Sequence, residues 1–336
     1  MYLTVSYRNT LKTRHTNKIM MLQLLVIMLL SVTANSSKMC LDVIGYYGNS
    51  GNAVASIPKL ADIDDNYNVL ILTCLDIAQN GTFTDLDIQG PYSGDTDGLK
   101  KDVQTWKSGT DLYGRNRLVL ASIGGQNGRW PSGVTSAALE TGALTFLQDY
   151  GLDGLDLDLE GPLVQDASTL VSVVNTLRSK GYIVTAAPEA AQSSLVPYES
   201  LIPHLNWVHP QFYNNGPNAV TTPFLPNATL WPTPWTVSDW QAESQGQSFW
   251  SGVLKAIGTV NKLSSSSQLG MLIPATPKAA SQYNNWNIEK LANQVVKAEI
   301  SHVGTWAIAY DNENNWDFAK TMGELNGVGC VVSNYY

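Results

Sequence analysis

Charge is scarce in this sequence of 336 residues. Only 14% are Asp, Glu, Lys or Arg, against 44% hydrophobic, a balance that excludes a disordered chain and fits an ordered globular one. Basic side chains are the minority, 20 against 28 acidic, for a net charge of −8. That argues against a nucleic-acid partner, which a basic surface would attract. Histidine is rare, with four residues and no ligand spacing among them, so no metal or other cofactor is expected from them. No Gly-x-Gly-x-x-Gly turn follows the first strand-like run, which counts against dinucleotide binding. Repeats, low-complexity tails and an appended binding module are also missing. The length suits one large domain or two small ones.

The one notable apolar run, residues 20–32, is too short to span a bilayer comfortably. Arg8, Lys12, Arg14 and Lys18 precede it and Val32-Thr33-Ala34 follows. A basic stretch, a short apolar core and a small-residue cleavage site read as a signal peptide over residues 1–34, with a retained anchor as the weaker alternative. Removal would leave sixteen basic and twenty-eight acidic residues, a net of −12. The expected product is a secreted, extracellular protein, a monomer with no stable membrane insertion. Three cysteines cannot pair completely within one chain. Cys40 precedes the first strand-like run, Cys74 lies inside the second and Cys330 is near the C-terminus. Asn35, Asn80 and Asn227 each open an Asn-x-Ser/Thr sequon, usable where the host glycosylates.

What the chain has in quantity is short apolar runs spaced a helix apart. They cover residues 41–46, 68–73, 117–123, 152–159, 182–186, 207–212, 269–273 and 302–308. Alternation of strands with helices implies parallel pairing, and eight units fit a single-domain α/β fold, the (β/α)8 TIM barrel, over residues 39–330. A doubly wound open sheet is the alternative. Residues 137–150 and 167–179 carry apolar positions at three- and four-residue spacing, as helices packed on a sheet do. In a closed barrel the first strand lies beside the last strand and helix, so Cys40 and Cys330 are expected to come close and oxidise, leaving Cys74 as a buried thiol. The longest connection, residues 214–268, holds Trp231, Trp235, Trp240 and Trp250. Ten Trp and fifteen Tyr in all supply a core and the flat faces that a sugar cleft needs.

The fourth run carries the chemistry. It reads Asp153-Gly-Leu-Asp156-Leu-Asp158-Leu-Glu160. Side chains alternate faces along a strand, so Asp156, Asp158 and Glu160 share one face and Leu155, Leu157 and Leu159 the other. The leucines can pack under helices while the acids point into the barrel at the C-terminal end, where barrel enzymes build their sites. Three buried acids are tolerable only if they share protons and hydrogen bonds. Glu160, nearest the mouth, is the natural protonated general acid. A solvated acidic strand and an oxygen-ligand metal site are the alternatives; no His sits beside the acids to support the second.

These residues resemble the Asp-Gly-x-Asp-x-Asp-x-Glu signature of glycoside hydrolase family 18, the chitinases. Ser122-Ile-Gly-Gly125 is similar to that family's Ser-x-Gly-Gly. Tyr46-Tyr-Gly-Asn-Ser-Gly-Asn52, Ala186-Ala-Pro188, Gln211-Phe-Tyr-Asn-Asn215 and Trp306 fall where the compact plant and fungal class III type has similar residues. The resemblance runs over the whole mature chain. It implies hydrolysis of chitin or chitooligosaccharides in which the substrate's own acetamido group replaces an enzyme nucleophile. By resemblance, Glu160 protonates the leaving oxygen and Asp158 holds the acetamido N–H. Asp156 supports Asp158 with Ser122 behind it, and Tyr213 donates to the acetamido carbonyl. Trp306 would floor the cleaved sugar, and Tyr46, Gln211 and Asn214 would line the cleft with Gly125. Asp76 stands where class III relatives carry Asn, either altering a sugar contact or facing solvent.

Two departures stand out. Three cysteines cannot reproduce the disulfides of the class III plant enzymes. His209-Pro210 precedes Gln211 where apolar strand residues are expected, and Pro is unusual inside a central strand. Competing functions are an endo-β-N-acetylglucosaminidase acting on N-glycans, peptidoglycan cleavage as a side activity, and a sugar-binding lectin on the same barrel. Lectins of that kind commonly lack the acid at the position of Glu160.

Overall fold

The computed structural model describes residues 40–48, 57–84, 91–129, 131–189, 196–211, 213, 269–279, 288–289, 292, 295 and 300–326. All of them belong to the unit Met39–Tyr336. The leader, the Trp-rich connection, Asn35, Asn214, Asn227 and Cys330 lie outside the described residues. Among the described residues, no helix is long and apolar enough to cross a membrane.

Eight strands alternate with helical segments. They are β1 (Asp42–Gly48), β2 (Val69–Leu75), β3 (Leu118–Gly124), β4 (Gly154–Asp158), β5 (Ile183–Ala186), β6 (Trp207–Val208), β7 (Gly270–Pro274) and β8 (His302–Trp306). Every ladder between them is parallel, in the order β6-β5-β4-β3-β2-β1-β8-β7. The ends of that order meet through the parallel bridges Val208↔Leu269 and Gln211↔Leu272 and the bond from Leu272 N to the Pro210 carbonyl at 3.1 Å. The result is the nearly closed (β/α)8 barrel that the spacing of the apolar runs predicts. The sixth run is shorter than expected, and Pro210 falls beyond it. A residue without an N–H cannot donate to a central ladder, so β6 stops and only single bridges continue.

Strand alternation produces two apolar layers. Val43, Tyr47, Leu70, Leu72, Val119, Ala121, Leu155, Leu157 and Leu159 face outward into the shell of helices. Ile44, Tyr46, Val69, Ile71, Leu120, Ile183, Trp207 and Leu272 fill the barrel interior. The shell includes α1 (Thr96–Lys107), α2 (Ser136–Tyr150) and α3 (Val171–Ser179), with α4 (Ile308–Glu313) and α5 (Asp317–Gly323) after the last strand. Residues 167–170 belong instead to a 3-10 segment, Gly161–Leu170, that leads into α3. Asp95 and Thr135 cap α1 and α2 by accepting from the N–H of Gly98 and Ala138, which satisfies donors that the first turn leaves free. Leu99, Val103 and Trp106 of α1, and Leu139, Ala143, Phe146 and Tyr150 of α2, make the buried faces. Each buried aliphatic side chain stabilises the fold by about 1.5–3 kcal/mol relative to exposure.

The floor of the barrel, at the N-terminal ends of the strands, sets acidic against basic side chains. Asp42 accepts from Asn68 Nδ2 at 2.6 Å and lies 3.5 Å from Arg115 Nη1. Arg115 Nε is 2.6 Å from Asp111 Oδ2. His302 Nδ1 is 3.0 Å from Asp42 Oδ2, within ion-pair distance though outside hydrogen-bond geometry. The His302 ring stacks on Trp207 at 4.6 Å.

Candidate active site

The register of three neighbouring strands builds the lower layer of the site. Ser122 of β3 pairs with Asp156 of β4, which pairs with Thr185 of β5. In a parallel barrel such partners project together into one interior layer. Accordingly Asp156 accepts from Ser122 Oγ at 2.8 Å and Tyr46 Oη at 3.1 Å, and from Thr185 Oγ1. Burial raises the Asp156 carboxyl above its ordinary range, and the hydroxyl bonds from Thr185, Ser122 and Tyr46 pull the other way. Burial, with Asp156 next in strength, keeps the Tyr46 hydroxyl protonated, so it can only donate to that carboxylate.

The upper layer follows from the same alternation. Asp158 ends β4, and Glu160, with extended φ and ψ of −109° and 158°, keeps the inward face. Asp158 is 4% exposed and Glu160 is half-buried. The two carboxyls hydrogen-bond to each other. A third group ties them: Gln211 Nε2 donates to Asp158 Oδ1 at 2.7 Å, to the Ala187 carbonyl at 2.8 Å and to Glu160 Oε1 at 3.1 Å. All three partners are acceptors, which fixes the amide orientation.

Asp158 is held well above the usual carboxylate range by burial, then by the charges of Glu160 and Asp156. Glu160 is also raised, chiefly by burial, with the Gln211 bond opposing and the charge of Glu189 adding to the rise. Carboxyls this close cannot both ionise cheaply, so the pair holds one proton in common and titrates as a unit.

Glycine makes room for this pair. Gly124 and Gly125 have φ of +109° and +77°. A Cβ on Gly124 would stand 2.1 Å from the Asp158 carbonyl oxygen, and one on Gly125 would stand 2.9 Å from Cys74 Sγ. The Ser-x-Gly-Gly pattern is thus a hydroxyl for Asp156 followed by one position pressed against the β4 backbone and one pressed against Cys74 of β2.

Of the other expected residues, Trp306 ends β8 and lies half-buried, its ring 6.2 Å from that of Tyr46 and tilted by 57°. Tyr213 is buried with Tyr46 in the interior cluster. Asp76 is exposed. Its Oδ1 accepts from Arg129 N at 3.1 Å and its backbone pairs with Thr84, so it braces two loops at the mouth. Cys40 is disulfide-bonded. Cys74 is a free thiol but an exposed one, a correction to the expected buried thiol. It sits near the mouth end of β2, beside Gly125, which carries no side chain. Asn80 is exposed, its Oδ1 accepting from Thr82 Oγ1 at 2.7 Å.

Two residues that adjoin the carboxyl pair were not singled out from the sequence. Tyr198 receives the Leu159 N–H at 3.0 Å and points back to the Leu159 carbonyl at 3.1 Å, so it clamps the backbone between Asp158 and Glu160. It comes from the segment before β6, and no local signal reveals it. Glu189 continues the inward parity of Ile183, Thr185 and Ala187, a signal that alternation does carry. Among the described residues no group of three His, Cys, Asp or Glu side chains is arranged to hold a metal ion.

A parallel barrel with a proton-sharing carboxyl pair at the C-terminal mouth is the architecture of a barrel enzyme. The chain belongs to glycosyl hydrolases family 18, whose sequence profile matches residues 42–328. It is similar to chitinase D of Niallia circulans, 28% identical over 209 residues that make up 52% of this chain and 38% of that protein. It also resembles a chitinase of Enterococcus faecalis, 27% identical over 180 residues and 48% of each chain. It therefore spans less than half the length of these curated relatives. Among solved structures, a family 18 chitinase from Chromobacterium violaceum aligns with a TM-score of 0.59 at 18% identity, over 85% of this chain and 83% of that one. The Group IV chitinase of Ostrinia furnacalis in complex with allosamidin aligns at 0.57 and 16%, over 85% and 96%. At such identities these structures speak for the barrel fold alone.

Proposed function

We propose that the chain is a secreted endo-chitinase that hydrolyses β-1,4-linked N-acetylglucosamine polymers with retention of configuration. The observation that carries this reading is the coupled Asp158–Glu160 pair, bridged by Gln211 above an Asp156 that three hydroxyls hold in place. In the first half of the reaction, Glu160 gives its proton to the glycosidic oxygen as the bond to the anomeric carbon breaks. The substrate's acetamido oxygen attacks that carbon and closes an oxazolinium ring. Asp158 accepts the acetamido N–H and offsets the positive charge, while Tyr213 directs the carbonyl oxygen from the interior cluster. In the second half, ionised Glu160 takes a proton from water, which opens the ring and restores the β configuration. An intramolecular nucleophile held in line gains an effective concentration on the order of 10⁵–10⁸ M. Trp306 offers a flat face beside Tyr46 on which the cleaved sugar can stack.

Family membership supports the glycosidase part of the reading, and the oxidised state of Cys40 fits an extracellular destination. The test is product stereochemistry and substrate choice. Product NMR on chitooligosaccharides should show β anomers first, and block-deacetylated chitosan should resist wherever glucosamine occupies the cleaved position. Initial α anomers, or cuts at glucosamine, would overturn the acetamido mechanism.

A further inference from the structure

Beyond the Asp-x-Asp-x-Glu run, a fourth carboxylate reaches the mouth from a different strand. Ile183, Thr185 and Ala187 face the interior from β5 and the residue after it: Ile183 and Ala187 pack in the inner cluster, and Thr185 bonds Asp156. Glu189 is the next residue of the same parity, half-buried rather than solvated. Its backbone forms a parallel bridge with Gln211, the residue whose amide holds Asp158 and Glu160 together and also binds the Ala187 carbonyl. Register therefore brings the Glu189 charge to the same level as the reacting pair, on the side opposite β3.

We propose that Glu189 is a positioning residue that keeps the shared proton of the Asp158–Glu160 pair in place for transfer at the pH where the site works. A negative charge beside a carboxyl disfavours its ionised form, and Glu189 acts in this sense on both members. The inference rests on the reading of Glu160 as proton donor. Among the described residues, the groups that face Glu160 are Asp158 on β4, Glu189 beyond β5, Gln211 beyond β6, Cys74 on β2 and Tyr198 before β6. None of these described groups is cationic. Gln211 works the other way, as the Asp158 hydrogen bond does more weakly, stabilising the ionised acid through its hydrogen bond. The two residues bridged beyond β5 and β6, Glu189 and Gln211, thus set opposite biases on one proton.

Profiles of kcat/KM against pH on a fluorogenic chitooligosaccharide separate this role from a merely structural one. Glu189→Gln should move the alkaline limb to lower pH, read as a roughly three- to tenfold loss at a pH on the wild-type limb, with the plateau kept within about twofold. Glu189→Asp keeps the charge and should keep the limb near its wild-type position, while Glu189→Lys should move it further down. Should Glu189→Gln fail to fold, Glu189→Leu is the second neutral variant and carries the same expectation. An unmoved limb with activity lost evenly at all pH values, or a rise in KM alone, would overturn the proposal. If wild-type protein does not cleave the substrate, the functional reading fails instead. Carboxyl-carbon NMR titration of the Glu160 resonance in wild type and Glu189→Gln then decides the inference by itself, with an unchanged titration overturning it.

Discussion

At the floor of the barrel, Asp42 and Asp111 face Arg115 and His302. At the mouth, Asp156, Asp158 and Glu160 face hydroxyls, an amide and one another. Both sets are buried inside the same cylinder, and both are acidic. The floor sets its acids against a guanidinium and an imidazole, so their removal from water is offset by basic partners. The mouth compensates with neutral donors only, so its acids resist ionisation and keep a proton that a reaction can use. Pairing makes a barrel stable, whereas leaving acids unpaired makes it reactive.

The largest effect expected from this contrast is on turnover. Glu160→Gln keeps shape and hydrogen bonding but has no proton to give, and should lower kcat by about 10²–10⁴-fold or more, with the fold intact by circular dichroism. Activity within tenfold of wild type would remove Glu160 from the mechanism. Next is a floor variant. Arg115→Met leaves Asp111 and Asp42 without their cation and should cost about 3–5 kcal/mol in urea unfolding, while the shape of the pH–activity profile stays put. A changed profile would mean that the two ends of the barrel are electrically linked.

The smallest effect has the opposite sign. Asp158 is raised in the folded state by burial and by its acidic neighbours, so the native protein binds more protons than the unfolded chain once pH passes the ordinary carboxylate range. Its contribution to stability is complete below that range and is lost as pH rises toward the raised value. Asp158→Asn should therefore stabilise the fold at neutral pH, on the order of 1 kcal/mol, and lose that advantage at acidic pH. Urea midpoints at the two pH values measure this, and a variant less stable at neutral pH would refute the account of the mouth.

Much of this was legible because it is local. Alternation along residues 154–160 alone places three acids on the interior face and three leucines in the shell, and the spacing of eight apolar runs predicts the barrel. Pro210 by itself marks the sixth run as irregular. What could not be read depends on distant segments. The Gln211 bridge joins residues 53 and 51 positions apart, and the Tyr198 clamp joins residues 39 apart, distances over which no sequence period runs. Cys74 was misjudged because composition reports a strand as apolar without saying which end meets solvent. Glu189 was within reach, since parity from Thr185 leads straight to it.

Gln211 has one more consequence. Its Nε2 carries two protons and faces three oxygens, so demand at that nitrogen already exceeds supply. A substrate that turns Asp158 toward its acetamido group would remove one taker without stranding a donor, because the remaining two acceptors match the two protons. The usual penalty for breaking a buried hydrogen bond is the unmet partner left behind, and at the Gln211 amide no proton is left behind. On the proposed mechanism, Gln211 can therefore keep hold of Glu160 while Asp158 turns to the substrate.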